Sequence, residues 1–172
     1  MKLTEAIKIL DREIQDPSSG LPEEVFLFVS GITPLVNVDI LIKDEKGRTL
    51  LAWRDDKYSG KGWHVPGGIV RFRETLEERV KKVARLEIGA QVKFKPEPIA
   101  INQLIHNKRK VRSHLISVLY LCALPGSFVP KNKGLNAGDA GYLKWHDKYP
   151  RNMIRWHKMY KKQIEELSRR KC

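Results

Sequence analysis

The chain has 172 residues and carries 33 Lys and Arg against 20 Asp and Glu, which gives a formal net charge of +13. Its length suits one domain over residues 1–172, and its hydrophobic content of 41% excludes an intrinsically disordered chain. The two cysteines exclude a disulfide framework, and no apolar run approaches the roughly 20 residues of a membrane span. We therefore expect a globular protein of the cytoplasm whose charge favours phosphates, nucleotides or nucleic acid as partners.

The hydrophobic pattern predicts helices near both ends of the chain and strands between them. Apolar residues at helical spacing predict helices over residues 2–15 and 22–29, which make residues 1–30 an N-terminal helical segment. Six strands are predicted, at Leu35–Ile42, Thr49–Trp53, Val92–Phe94, Ile99–Ile105, Leu115–Leu124 and Tyr142–Trp145. A basic C-terminal helix is predicted over residues 150–172. Strands on both sides of a central helix favour an α/β sandwich with a mixed sheet.

The central helix is predicted over residues 75–88. Thr75 and Glu78 have the spacing of a capping box, which places the start of the helix at the residue after Thr75. Gly89 is well placed as the left-handed residue that ends the helix. Both ends of this element are therefore defined by local signals.

Glu87 is the candidate metal ligand of this helix. At about 100° per residue it lies about 20° from Leu76, so the apolar stripe of the helix ends in a carboxylate. A carboxylate turned toward the core needs a hydrogen bond, an ion pair or a metal. The glycines of the preceding Pro66–Gly68 bend allow close approach of the backbone to a ligand, and an acid beside them suits magnesium, which takes oxygen ligands. The alternative is that Glu87 lies in a frayed last turn and points to water.

These residues resemble the Nudix box, which reads Gly, five residues, Glu, seven residues, then Arg-Glu-apolar-x-Glu-Glu-x-Gly-apolar. The positions that match in register are Gly68, Glu74, Glu87, Gly89 and Ala90. Lys82 stands at the arginine, and Val83 and Leu86 stand where the family has glutamates. The resemblance implies an α/β/α sandwich of Nudix type, with extra N- and C-terminal helices, that hydrolyses a nucleoside diphosphate linked to another group.

One branch of the family, the GDP-mannose mannosyl hydrolases, lacks the same two glutamates. The resemblance to that branch extends to Thr33–Val36 before Asp39 and to Leu50–Leu51 before Arg54. In the branch, water attacks the sugar carbon and GDP leaves with one magnesium ion on its diphosphate. The resemblance therefore implies a nucleotide-sugar hydrolase, often a homodimer, with magnesium, or manganese in its place, as cofactor.

The branch also implies roles for single residues. Glu87 and the backbone of Gly67 would hold magnesium. Arg54 would contact the diphosphate, since a planar guanidinium binds phosphate in a bidentate way. Asp39 would position the leaving nucleotide or the sugar, and His114 would lie near the sugar and its phosphate.

Two positions depart from the branch. Ile69 replaces an arginine, and the loop Asn132–Gly141 lacks the histidine that acts as a base. The one acid of that loop, Asp139, is the candidate base, and the alternative is an aspartate that shapes a turn. Lys82 keeps the charge of the arginine that it replaces and joins Arg54 and Asp139 in the candidate catalytic set.

Two other functions stay open at this point. A Nudix fold without catalysis would bind nucleotide or RNA through the basic run Lys108–Arg112 and the basic residues after Tyr149, although both stretches also fit solvated surface. A pyrophosphohydrolase would direct water at phosphorus with Glu74 and Glu78 as nonstandard carboxylates.

Several residues have a structural interpretation. The first helix is expected to pack on a second subunit or on its own sheet. His64 is expected in the core or at its rim, His157 on a helix surface and Cys122 in the core as an inert residue. The stripe of the terminal helix contains Met153, Trp156, Tyr160, Ile164 and Leu167.

Overall fold

The computed structural model describes residues 2–125 and 127–166. The elements, in chain order, are α1 (Leu3–Glu13), α2 (Glu23–Ser30), β1 (Leu35–Lys43), β2 (Thr49–Asp56), β3 (Gly60–His64), β4 (Gly67–Ile69), α3 (Leu76–Val83), a π-helical turn (Ala84–Ile88), β5 (Lys93–Phe94), β6 (Ala100–Ile105), β7 (His114–Ala123), β8 (Leu143–His146), a 3₁₀ segment (Arg155–Tyr160) and α4 (Lys161–Glu166). Among these helices, none has the length and apolar character that crossing a membrane requires.

A mixed sheet forms the centre of the fold. Strands β1 and β7 run parallel in unbroken register, from Leu35 opposite Leu115 to Lys43 opposite Ala123. The order along the sheet is β3-β2-β1-β7-β5, while β4 also pairs with β1, β6 with β7 and β8 with β2. These other strand pairings are antiparallel. The predicted α/β class with a mixed sheet is confirmed.

Helix α3 packs against this sheet through the stripe that its sequence predicts. Val80 is fully buried and Val83 is 3% exposed, and both belong to a core cluster with residues of β1 and β7. The capping box forms as predicted, because the Glu78 N–H donates to the Thr75 hydroxyl and the Glu78 carboxylate accepts the Thr75 N–H. The start of the helix is therefore fixed independently of its tertiary packing.

The helix widens before it ends. The Gly89 N–H donates to the carbonyl of Ala84, five residues earlier, and Gly89 adopts the left-handed conformation with φ of 71°. The predicted end at Gly89 is confirmed, whereas regular α-helical winding stops at Val83. Such π-helical turns are frequent at functional sites, and this one carries Glu87.

Helix α1 forms within its predicted range but buries none of its residues. Leu3 is 78% exposed and Ile7 is 48% exposed. The helix therefore leaves Leu3 and Ile7 of its stripe uncovered, while Leu10 is half-buried.

The terminal segment does not form one continuous helix. Met153 pairs with Trp63 in an isolated bridge, and the 3₁₀ segment precedes α4. Tyr160 and Ile164 of the predicted stripe are buried in a second core cluster. Leu167 lies outside the described residues.

Candidate active site

Glu74 is held by ion pairs with two cations of helix α3, Arg79 and Lys82, an arrangement that we name the ion-pair lock. Its Oε2 accepts the Nε of Arg79 at 2.7 Å and the Arg71 N–H at 2.9 Å, and its Oε1 lies 2.9 Å from the Lys82 Nζ. Burial alone would raise the pKa of this carboxyl, but the Arg71 N–H, Lys82 and Arg79 lower it. Lys82 therefore forms an ion pair with a carboxylate whose side chain is only 4% exposed and which also binds Arg79 and the Arg71 N–H.

Glu87 faces a cleft of about 810 Å³, which we name the large cleft. Residues that line it include Trp53, Arg54, His64, Leu86, Glu87 and Phe128. The Glu87 side chain is 29% exposed, and its Oε2 lies 3.4 Å from the Nε2 of His64. His64 is 4% exposed, as its predicted core position requires, and neither of its ring nitrogens has a hydrogen-bond partner among the described residues. Glu87 therefore lies beside a buried histidine and is only partly exposed to water.

A second space of about 160 Å³, the small cleft, lies on the other side of Arg54. Residues that line it include Asp39, Arg54, Gly67, Arg109, Arg112 and Trp156. Arg54 borders both clefts, whereas Gly67 lines the small cleft and Glu87 lines the large one. The structure thus brings Arg54 next to both halves of the predicted metal site but places those halves on different walls.

Asp39 lies at the floor of the small cleft and is 2% exposed. Its Oδ2 accepts hydrogen bonds from the hydroxyl groups of Ser117 and, at 2.6 Å, of Tyr160. Burial raises the pKa of Asp39. A Cβ atom at Gly67 would collide with the Oδ1 of Asp39 and would lie 2.8 Å from the carbonyl oxygen of Val38, so the bend requires glycine because it touches this carboxylate.

The terminal segment contributes groups that the sequence patterns did not assign to the site. His157 accepts the Val65 N–H at its Nδ1, at 3.0 Å, and lines the small cleft. Burial, together with the charges of His64 and Arg54, lowers the pKa of His157 well below its ordinary value. Its predicted position on a helix surface is wrong, because the 3₁₀ winding turns it inward next to Tyr160.

Two arginines of the basic run also reach the small cleft. Arg109 lies over the ring of Trp156 at 5.1 Å, and Arg112 lies over the ring of Tyr58 at 4.5 Å. For these two side chains the interpretation as solvated surface is wrong, whereas their neighbours Lys108 and Lys110 are exposed. The absence of acids from this run was the one sequence signal for an anion site.

Two candidate residues, Asp139 and His114, are not among the residues that line either cleft. Asp139 is exposed and its carboxylate accepts the Asn136 N–H at 2.6 Å, so it shapes a turn. His114 lies 2.9 Å from the Nε2 of Gln103. Because side chains alternate along a strand, His114 lies on the face of β7 opposite to Leu115, which lines the small cleft. The structure does not bring either residue to Arg54.

Comparisons with known proteins agree with this architecture. A family model described as NUDIX domain matches residues 33–156. The chain belongs to the Nudix family.

Solved Nudix structures share the fold at low identity. A MutT NUDIX hydrolase from Burkholderia pseudomallei is 22% identical, with a TM-score of 0.63 over 77% of this chain and 98% of that one. A MutT protein from Methanosarcina mazei is 16% identical, with a TM-score of 0.59 over 81% and 99%. The low-salt glycan biosynthesis protein Agl8 of Haloferax volcanii is 36% identical over 76 residues, which cover 44% of this chain and 48% of that protein. The match thus spans about half the length of that curated relative.

Among the positions where the Nudix box carries an acid, this chain leaves one carboxylate available to a ligand, that of Glu87. Val83, at the first missing glutamate, is buried, and Leu86, at the second, is 72% exposed beside Glu87. Glu78 is engaged as a helix cap. Among residues 2–125 and 127–166, no group of three His, Cys, Asp or Glu side chains is placed to hold a metal ion. Since magnesium is commonly held by one or two carboxylates together with substrate phosphates and water, these residues fit an ion that a diphosphate helps to bind.

Proposed function

We propose that this Nudix protein is a magnesium-dependent hydrolase of a nucleoside diphosphate derivative, and that the substrate is a nucleotide sugar, as in GDP-mannose mannosyl hydrolases. The observation that carries the proposal is that Glu87, the free carboxylate of the box, lines the same cleft as Arg54. An acid and a guanidinium that line one cleft suit a metal-bound diphosphate. Magnesium, or manganese in its place, would neutralise the diphosphate and make it a better leaving group.

The replaced acids favour attack at the sugar carbon. The usual Nudix enzymes use several carboxylates on this helix to direct water at phosphorus. In this chain two of those positions are occupied by Val83 and Leu86, which have no carboxylate. The nonstandard carboxylates Glu74 and Glu78 are engaged in an ion-pair lock and a helix cap. In the proposed reaction, Arg54 binds the diphosphate and holds it as it leaves, and Asp39 orients the sugar at the floor of the small cleft.

The name of the Haloferax relative supports a substrate from glycan metabolism, because that protein is described as acting in glycan biosynthesis. A cytoplasmic setting, and a homodimer that covers the exposed stripe of α1, complete the proposal as predictions from the sequence. Asp139 is not retained as the base, since its carboxylate lies in an exposed turn.

The proposal is tested by the substitution Glu87→Gln, assayed with magnesium against a panel that includes GDP-mannose and UDP-glucose. We expect activity to fall by about 100-fold or more, the scale on which loss of one charge-stabilising group acts, with an unchanged melting temperature. The matched control is Glu77→Gln, an exposed acid of the same helix. Equal activity of the two variants would refute the assignment.

The site of attack is read from turnover in ¹⁸O-labelled water. We expect the label in the released sugar, whereas label in a phosphate product would show attack at phosphorus.

The second candidate function, a Nudix module without catalysis that binds nucleotide or RNA, is favoured by the loss of two box acids and by the charge of +13. It predicts nucleic-acid binding that weakens steeply with salt and no cleavage of any diphosphate in magnesium.

A further inference from the structure

The small cleft holds more guanidinium groups than the proposed diphosphate site uses. Arg54 borders both clefts and is the arginine assigned to the diphosphate. Arg109 and Arg112 line the small cleft, which Glu87 does not line. Among the lining residues that the structure describes, the one acid is Asp39, and its Oδ2 already accepts two hydroxyl groups. The small cleft therefore carries a surplus of positive charge of its own.

The connection between β6 and β7 holds these arginines in a fixed shape. The His106 N–H donates to the Ser113 carbonyl at 2.7 Å, and the Arg109 N–H donates to the His106 carbonyl at 3.0 Å. Arg112 has a φ of 50°, and its N–H donates to the hydroxyl of the buried Ser30 at 3.0 Å. A residue other than glycine in this conformation is strained, and such strain is found chiefly at functional sites.

Aromatic rings and a carbonyl orient the two guanidinium groups. Arg109 lies over Trp156, Arg112 lies over Tyr58, and the Nη2 of Arg109 donates to the Tyr58 carbonyl. Burial, followed by repulsion from Arg54 and Arg109, lowers the pKa of Arg112 even though Asp56 opposes the shift. Like charges that are fixed close together and partly buried form a ready site for an anion.

We infer that the small cleft is an oxyanion subsite for a carboxylate or a phosphate carried by the group that is linked to the nucleoside diphosphate. The inference rests on the proposed function, because it takes the diphosphate to lie at Arg54 and Glu87. A volume of about 160 Å³ accommodates one ring or one phosphate group. The substrate class is thus a nucleoside diphosphate with an acidic sugar or a terminal phosphate, whereas a neutral hexose offers the two guanidinium groups no anion.

Three uridine nucleotides distinguish the sources of the oxyanion, since the group linked to UDP is a uronate in UDP-glucuronate, a phosphate in UTP and a neutral hexose in UDP-glucose. Affinities are measured by calorimetry on the parent protein in EDTA, since under the proposed function the absence of magnesium prevents turnover and leaves every residue of both clefts in place, and are repeated with guanosine nucleotides. We expect one charged compound to bind about tenfold or more tightly than the neutral one. Preference for UDP-glucuronate assigns a carboxylate, and preference for UTP assigns a phosphate. Equal binding of all three overturns the inference.

Arg109→Gln and Lys110→Gln form a matched pair, because each removes one positive charge from the same connection and Lys110 is exposed. We expect Arg109→Gln to abolish the preference for the charged compound, Arg109→Lys to restore part of it and Lys110→Gln to keep it. If Arg109→Gln and Lys110→Gln behave alike, the effect is one of net charge and the subsite is refuted.

A measurement with inorganic phosphate separates the subsite from the hydrolase proposal. Phosphate is titrated into the parent protein and into its single variants Arg109→Gln and Lys110→Gln. Binding is followed by tryptophan fluorescence, because Trp156 lines the small cleft. Loss of phosphate binding in Arg109→Gln alone supports the subsite even if no diphosphate is cleaved, in which case the proposed hydrolysis fails by itself. Unchanged binding in both variants overturns the subsite even if nucleotide sugars are hydrolysed.

Discussion

The hydrogen bond from Tyr160 to Asp39 is expected to stabilise the fold in a pH-dependent way. The Tyr160→Phe substitution keeps the buried ring and removes a hydroxyl that donates to the Oδ2 of Asp39 at 2.6 Å. Ser117 still donates to the same oxygen, so the carboxylate keeps one partner. A hydrogen bond to a charged group contributes about 1.5–3 kcal/mol, which for a domain of this size corresponds to a decrease of about 3–12 °C in melting temperature.

The sign of the pH dependence follows from the carboxylate. Burial raises the pKa of Asp39 above its ordinary 3.8, so the folded protein loses stability as the pH rises from there through the raised pKa. The Tyr160 hydroxyl opposes that shift, and its own pKa is raised by burial and by Asp39, so it stays a donor. The difference in unfolding free energy between Tyr160→Phe and the parent is therefore expected to increase with pH.

Urea denaturation at pH 5 and pH 8.5 measures both quantities. Tyr149→Phe is the matched control, because Tyr149 packs on the same core cluster and its hydroxyl has no hydrogen bond within the described part of the chain. The reasoning is refuted if Tyr160→Phe loses no more stability than Tyr149→Phe, or if its loss is the same at both pH values.

Three further outcomes are expected. Gly67→Ala places a methyl group against the buried carboxylate beside it and is expected to cost about 1–3 kcal/mol of stability and to impair substrate binding, as urea denaturation and KM would show. Arg79→Ala removes a partner of the buried Glu74 carboxylate and is expected to lower the free energy of unfolding by about 3–5 kcal/mol. Lys82→Ala, at a side chain 44% exposed, is expected to lower it by about 1 kcal/mol. Similar losses for the two variants in urea denaturation would contradict the ion-pair lock. Burial raises the pKa of Cys122 to about 12, so peptide mapping after iodoacetamide treatment at pH 8 is expected to find this thiol unmodified in the folded protein and modified after unfolding.

The features that the sequence predicted well depend on short separations along the chain. Thr75 and Glu78 are three residues apart, and a left-handed glycine after a helix is a local signal, so both ends of the central helix were found. Projection at about 100° per residue predicted that Glu87 lies at the inward end of the apolar stripe, and the structure places it beside the buried His64, on a turn that winds differently. The π-helical turn was not predicted, because no residue type marks it.

The buried network at Asp39 could not be predicted from spacing. Tyr160 follows Asp39 by 121 residues, and only the completed sheet brings them together. His157 was placed on a surface by α-helical periodicity, whereas a 3₁₀ segment winds with three residues per turn and buries a different set of side chains. The basic run that contains Arg109 fits both an anion-binding surface and solvated surface by sequence, and the contact of Arg109 with Trp156 depends on tertiary packing.

The π-helical turn at the end of helix α3 makes the site more sensitive to a change in the number of residues in the Nudix box than to a replacement of single residues. Glu87 lines the large cleft from within a five-residue step that Gly89 closes onto Ala84. Deleting one residue there would remove the five-residue step and change the direction of the carboxylate by about 100° relative to the cleft that it lines. Val83 and Leu86 show that point replacement is accommodated at this site, whereas an alignment gap inside the box would mark a chain that had lost its acid altogether.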